Sequence, residues 1–137
     1  MAAHTTNYFS AFIEVAEDCP ADRAQEPPAG EQPTIAALHH RLIAERPYTL
    51  TSDDVVFETW AIREGVDPQD AAARERFFSK GRPCLRSSPL GKRYGWGIHF
   101  DAEGRAALVA RESAEYERLR ADPLLVHKRA MRSARSR

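Results

Sequence analysis

The sequence predicts an α+β fold: a small, mostly antiparallel sheet with three or so helices packed on one face. Three observations predict it. Residues 94–110 read as a β-hairpin, residues 34–45 carry apolar side chains at helical spacing, and strand-like and helix-like segments alternate without a regular βαβ cadence. A length of 137 residues suits one domain able to bury a core. With 42% apolar and 29% charged residues, the composition is that of a soluble globular protein.

Taken in order, residues 7–15 alternate as a strand, with Phe9, Ala11, Ile13 and Val15 on one face and Tyr8, Phe12 and Glu14 on the other. From Glu17 to Pro33, acids and four prolines (Pro20, Pro27, Pro28, Pro33) predict a long surface loop, because proline removes a backbone donor. Thr34 is a fair N-cap for a helix over 34–45, with Ile35, Leu38, Leu42 and Ile43 inward and Arg46-Pro47 stopping it. Residues 54–62 are ambiguous. Thr51-Ser52-Asp53-Asp54 resembles a helix start, whereas Val55-Val56-Phe57-Glu58-Thr59-Trp60 is β-branched and aromatic, which favours a strand. Asp67, Pro68 and Asp70 start a helix running to about Ser79, with at least one of Phe77 and Phe78 on the sheet. In the hairpin, Tyr94 to Phe100 alternates strictly, Asp101-Ala102-Glu103-Gly104 turns, and Ala106 to Ala110 returns. Ser113 starts a last helix with Tyr116 and Leu119 inward. Residues 1–126 are thus expected to form the domain, and the basic segment 127–137 to fray.

The net charge is zero, yet residues 1–60 hold ten acids and three bases while 61–137 hold ten acids and seventeen bases. Two cysteines without CxxC or zinc spacing argue against a disulfide scaffold and for a reducing compartment. No apolar run is long enough to cross a membrane, and the first residues lack the pattern of a signal peptide, so a cytoplasmic protein is expected.

The strongest chemical feature is the stretch 79–93, with five cations, three serines, two glycines and no acid. Guanidinium groups bind phosphate or carboxylate bidentately, and glycine lets the backbone come close, so Lys80, Arg82, Arg86, Ser87, Lys92 and Arg93 are candidate anion ligands. Gly91-Lys92-Arg93 does not complete a nucleotide-binding P-loop. The plainer alternative is a solvated basic connection paired with the acidic half.

Cys84 lies between Arg82 and Arg86, which on a shared face would stabilise its thiolate, making it a candidate nucleophile or redox thiol; no base or resolving cysteine is evident, and a buried structural role competes. Gly95, Gly97 and His99 share one strand face, where small residues let a helix, loop or ligand lie on the sheet with His99 as its polar group. Asp53-Asp54 are explained by capping and His39-His40 by a helix surface, so no metal site and no cofactor are predicted. The basic C-terminus lacks the interleaved aromatics of a nucleic-acid binder, so nucleic acid is not the expected partner.

The segments His4-Thr5-Thr6-Asn7-Tyr8-Phe9, Phe12 to Pro20 (FIEVAEDCP), Thr51-Ser52-Asp53-Asp54-Val55 and Phe77 to His99 (FFSKGRPCLRSSPLGKRYGWGIH) resemble a family of small bacterial proteins known as a domain of unknown function. The resemblance runs from His4 to about Ser133 and departs in the acidic, proline-rich loop Asp22 to Gln32. It implies a stand-alone, bacterial, cytoplasmic domain and brings no substrate or catalytic residue with it. Three readings follow from the residues: a binding domain with a phosphate- or nucleotide-like anion at 79–93 beside the glycine face, a thiol-dependent enzyme or redox protein using Cys84, or an interaction module in which the acidic half of one copy meets the basic half of another.

Overall fold

Four strands, β1 (Ala11–Glu14), β2 (Trp96–Phe100), β3 (Ala106–Ala110) and β4 (Val126–Arg129), form one sheet in the computed structural model, which describes residues 4–133. Their order is β3-β2-β1-β4. The hairpin forms as expected, with Trp96 opposite Ala110 and Phe100 opposite Ala106, and Gly104 takes φ 81° in its turn. β1 pairs antiparallel with β2 but parallel with β4, so the sheet is mixed rather than mostly antiparallel. The described residues form five helices, α1 (Ile35–Glu45), α2 (Ser52–Glu64), α3 (Ala71–Phe77), α4 (Pro89–Arg93) and α5 (Ala114–Arg120). The α+β class holds.

Helices cover both faces, not one. Ala11, Ile13, Ile98 and Phe100 pack with Leu42, Ile43 and Val55 of α1 and α2. On the reverse face, Phe12 and Val109 pack with Tyr116 and Leu119 of α5. A third cluster joins Phe57 and Ala61 of α2 to Ala73, Phe77 and Phe78. Neither Phe77 nor Phe78, of which at least one was expected at the sheet, joins the sheet clusters; both are spent on holding α3 to α2.

The segment 54–62 is helix, not strand. Thr51 Oγ1 accepts from Asp54 N while Asp54 Oδ2 accepts from Thr51 N, a reciprocal cap, and Gly65 at φ 72° closes the other end. The misleading run of β-branched and aromatic residues has a physical cause: α2 is buried on two sides, with Val55 facing the sheet and Phe57 and Ala61 facing α3. Asp53 ties the N-terminal segment to this helix start, accepting from Thr5 Oγ1, Thr6 N and Thr6 Oγ1.

Other boundaries shift for local reasons. Ser10 sits at φ 45°, so β1 begins at Ala11 and Tyr8 turns to pack on Phe100. Asp70, rather than Asp67, caps α3 through Ala73 N. The segment from Val126, expected to fray beyond it, instead forms an edge strand, with Val126 N donating to Ser10 O and Ala130 N to Glu14 O. Residues 134–137 of that tail lie outside the described range.

The glycine face is filled by the protein itself. A Cβ on Gly97 would meet the rings of Phe12 and Tyr116 at 2.9 Å, and one on Gly95 would meet Arg23 O at 2.8 Å. Gly97→Ala is accordingly expected to cost about 1–3 kcal/mol of stability by overpacking, read as a lower urea midpoint. An unchanged midpoint would show that α5 is free to give way.

Candidate functional site

The basic stretch does not stand out in solvent as a bare loop. Leu85 and Leu90 are fully buried, Leu85–Ser87 makes a short 3₁₀ turn, and Ser88 Oγ accepts from Leu90 N to start α4 with Pro89 at its first position. These anchors lay the backbone of 82–89 across α1 and α2. Between them opens a cleft of about 350 Å³, within the range of small-molecule sites.

Its walls are apolar, from Ile35 of α1, Val56 and Trp60 of α2, and Phe77. Arg63, Glu64 and Arg82 contribute charge, two cations to one carboxylate, and Cys84 and Ser87 come from the basic stretch. Arg82 is fixed there, its Nε donating to Phe77 O at 2.8 Å and its guanidinium lying 4.0 Å over the Phe77 ring.

Two polar groups of the wall escaped the sequence. Thr59 is 4% exposed and its Oγ1 has no hydrogen-bond partner, alone in this among the buried side-chain polar atoms of the described residues. Buried hydroxyls are ordinarily paired, because desolvation is costly. His39, expected on the helix surface, is buried instead, with Nδ1 2.8 Å from Ser88 Oγ. Burial pushes its pKa down to about 4, so the imidazole is neutral at physiological pH. His40 stays half-exposed against the Trp96 ring. Reading α2 as a strand hid Thr59, since only a helix carries Val56, Thr59, Trp60 and Arg63 on one flank.

Of the predicted anion ligands, the fold brings Arg82 and Ser87 into the cleft and Arg93 into an adjoining groove shared with Ile35, Arg63 and Pro89. Lys80 is exposed outside it, Lys92 lies on α4, and Arg86 is turned away, its Nε donating to Arg129 O of β4. No carboxylate among the described residues forms an ion pair with these five cations; Arg74–Asp54 and Arg132–Glu17 join the two halves of the chain elsewhere. Both cysteines are free thiols. The group beside Cys84 Sγ is the Tyr8 hydroxyl at 3.1 Å, and burial together with Cys84 pushes that phenol up to about 12. His99 lies on the reverse face of the sheet, Nδ1 2.8 Å from the Tyr48 hydroxyl, with its pKa pushed down by burial.

A family model described as a family of unknown function (DUF6157) matches residues 3–136. The chain belongs to this family. DUF6157 membership thus spans the whole cleft, from Ile35 to Pro89, and assigns it no chemistry. No curated protein and no solved structure matches the chain. No helix among the described residues is long and apolar enough to cross a membrane.

Proposed function

We propose that this DUF6157 chain is a binding domain of the bacterial cytoplasm whose ligand is a small anion carrying an apolar group, held in the cleft between α1, α2 and residues 82–89. The observation that carries the reading is the buried, unpartnered hydroxyl of Thr59, a residue that lines the cleft among apolar side chains and two guanidinium groups. A soluble fold tolerates such a group at a cost in stability, and a ligand atom that hydrogen-bonds to it removes the cost. Arg82 and Arg63 supply the attraction for an anion, and Trp60, with Val56 and Ile35 beside it, the surface for an apolar body. The reading moves the anion away from the glycine face, which Tyr116 and Phe12 occupy.

The probe 1-naphthyl phosphate tests it in a thermal scan. It is expected to raise the melting temperature, while inorganic phosphate or 1-naphthol alone does so little, because each lacks half of the recognition. Arg63 is exposed, so Arg63→Ala should fold normally and bind the probe roughly tenfold more weakly through loss of a charge-assisted hydrogen bond. No shift with millimolar 1-naphthyl phosphate would contradict the proposal.

A further inference from the structure

We propose that Cys84 is a covalent capture site within the cleft, where its thiolate exchanges with a low-molecular-weight disulfide bearing a carboxylate, and that Tyr8 is its positioning residue. The inference rests on the cleft being a ligand site.

Three observations meet there. Cys84 lines the cleft together with Arg82 and Arg63, which attract a carboxylate. The unpartnered Thr59 hydroxyl in the same wall points to an occupant that brings a polar atom. The Tyr8 hydroxyl stands 3.1 Å from the sulfur, and as a phenol that keeps its proton it donates to a thiolate. Cys19 is a built-in control: it is half-buried as well, but its Sγ faces Ala21 O at 3.9 Å and it has no place in this cleft.

The step is thiol–disulfide exchange. Cys84 gives its proton to solvent, and the thiolate attacks one sulfur of the disulfide. A new Cys84–S–S–R bond forms as the old S–S bond breaks, and the second half leaves as the thiolate with the bonding pair. Cys84 is oxidised, one half of the disulfide is reduced, and no further oxidant is needed.

The experiment follows thiolate release from 5,5′-dithiobis(2-nitrobenzoate), an anionic aryl disulfide, with Cys84→Ser and Cys19→Ser assigning the phases. Cys84 is expected to react roughly tenfold or more faster than Cys19, through electrostatic attraction to the cleft. The preference should vanish with the cationic disulfide cystamine. Tyr8→Phe should move the midpoint of the Cys84 pH–rate profile upward without changing that of Cys19, a readout that a packing role alone would leave in place. Equal rates for the two cysteines, an undiminished preference with cystamine, or an unmoved profile in Tyr8→Phe would overturn the inference. Saturating 1-naphthyl phosphate should slow Cys84 alone. If the phosphate binds but Cys84 shows no preference, the capture site falls and the binding function stands; if Cys84 keeps its full rate in bound protein, the thiol and the ligand do not share a site and the inference is overturned.

Discussion

Lowering the pH from 7 to 4 is expected to remove about 3 kcal/mol of folding stability through His39 alone. In the unfolded chain the imidazole titrates near its ordinary value of 6.5, whereas in the fold it is pushed down to about 4 by burial between α1 and the start of α4. Between those values the unfolded state takes up a proton that the folded state refuses. Stability is therefore full above pH 6.5, falls as the pH drops through 6 and 5, and stops falling near 4. The difference between wild type and His39→Gln isolates the group, because every other titrating residue is common to both and glutamine keeps a partner for Ser88. Urea midpoints at pH 4, 5, 6 and 7 should converge toward acid, with the wild type losing its advantage there. A difference independent of pH would mean that His39 is solvated.

Thr59→Val should do two things of opposite sign. Valine has the shape of threonine without the hydroxyl, so it removes a buried polar atom that has no partner and should raise stability by about 1–2 kcal/mol. The same change deprives a ligand of its hydrogen bond and should weaken 1-naphthyl phosphate roughly fivefold, about 1 kcal/mol. Gain in stability with loss of binding is the mark of a residue kept for function. Calorimetric titration beside thermal denaturation of both proteins reads the two effects. A variant that is less stable, or that binds as tightly as wild type, would make Thr59 a packing residue.

The hairpin, α1 and α5 could be read from the sequence because each is specified locally: strict alternation around Gly104, a Thr34 cap, a Ser113 cap. α2 could not, since its β-branched and aromatic residues fill two faces at once, one against the sheet and one against α3, and such a run reads as a strand. β4 was hidden for the converse reason. Its four residues are all exposed and three of them are His127, Lys128 and Arg129; only the backbone of β1 makes them a strand. The candidate site divides in the same way. Arg82, Cys84 and Ser87 were visible as chemistry on a basic stretch, but Val56 and Trp60 of their apolar wall and the Thr59 hydroxyl belong to the helix that the sequence disguised. Arg86, alike in sequence, was lost to β4 by a hydrogen bond that no spacing foretells.

A crystal structure of the full chain grown with 1-naphthyl phosphate tests the central claim most directly. The expected density has the ring against Trp60, Val56 and Ile35, the phosphate against Arg82 and Arg63, and a ligand or ligand-ordered water oxygen within hydrogen-bond distance of Thr59 Oγ1. Density for the probe elsewhere, with this cleft empty and Thr59 still without a partner, would contradict it.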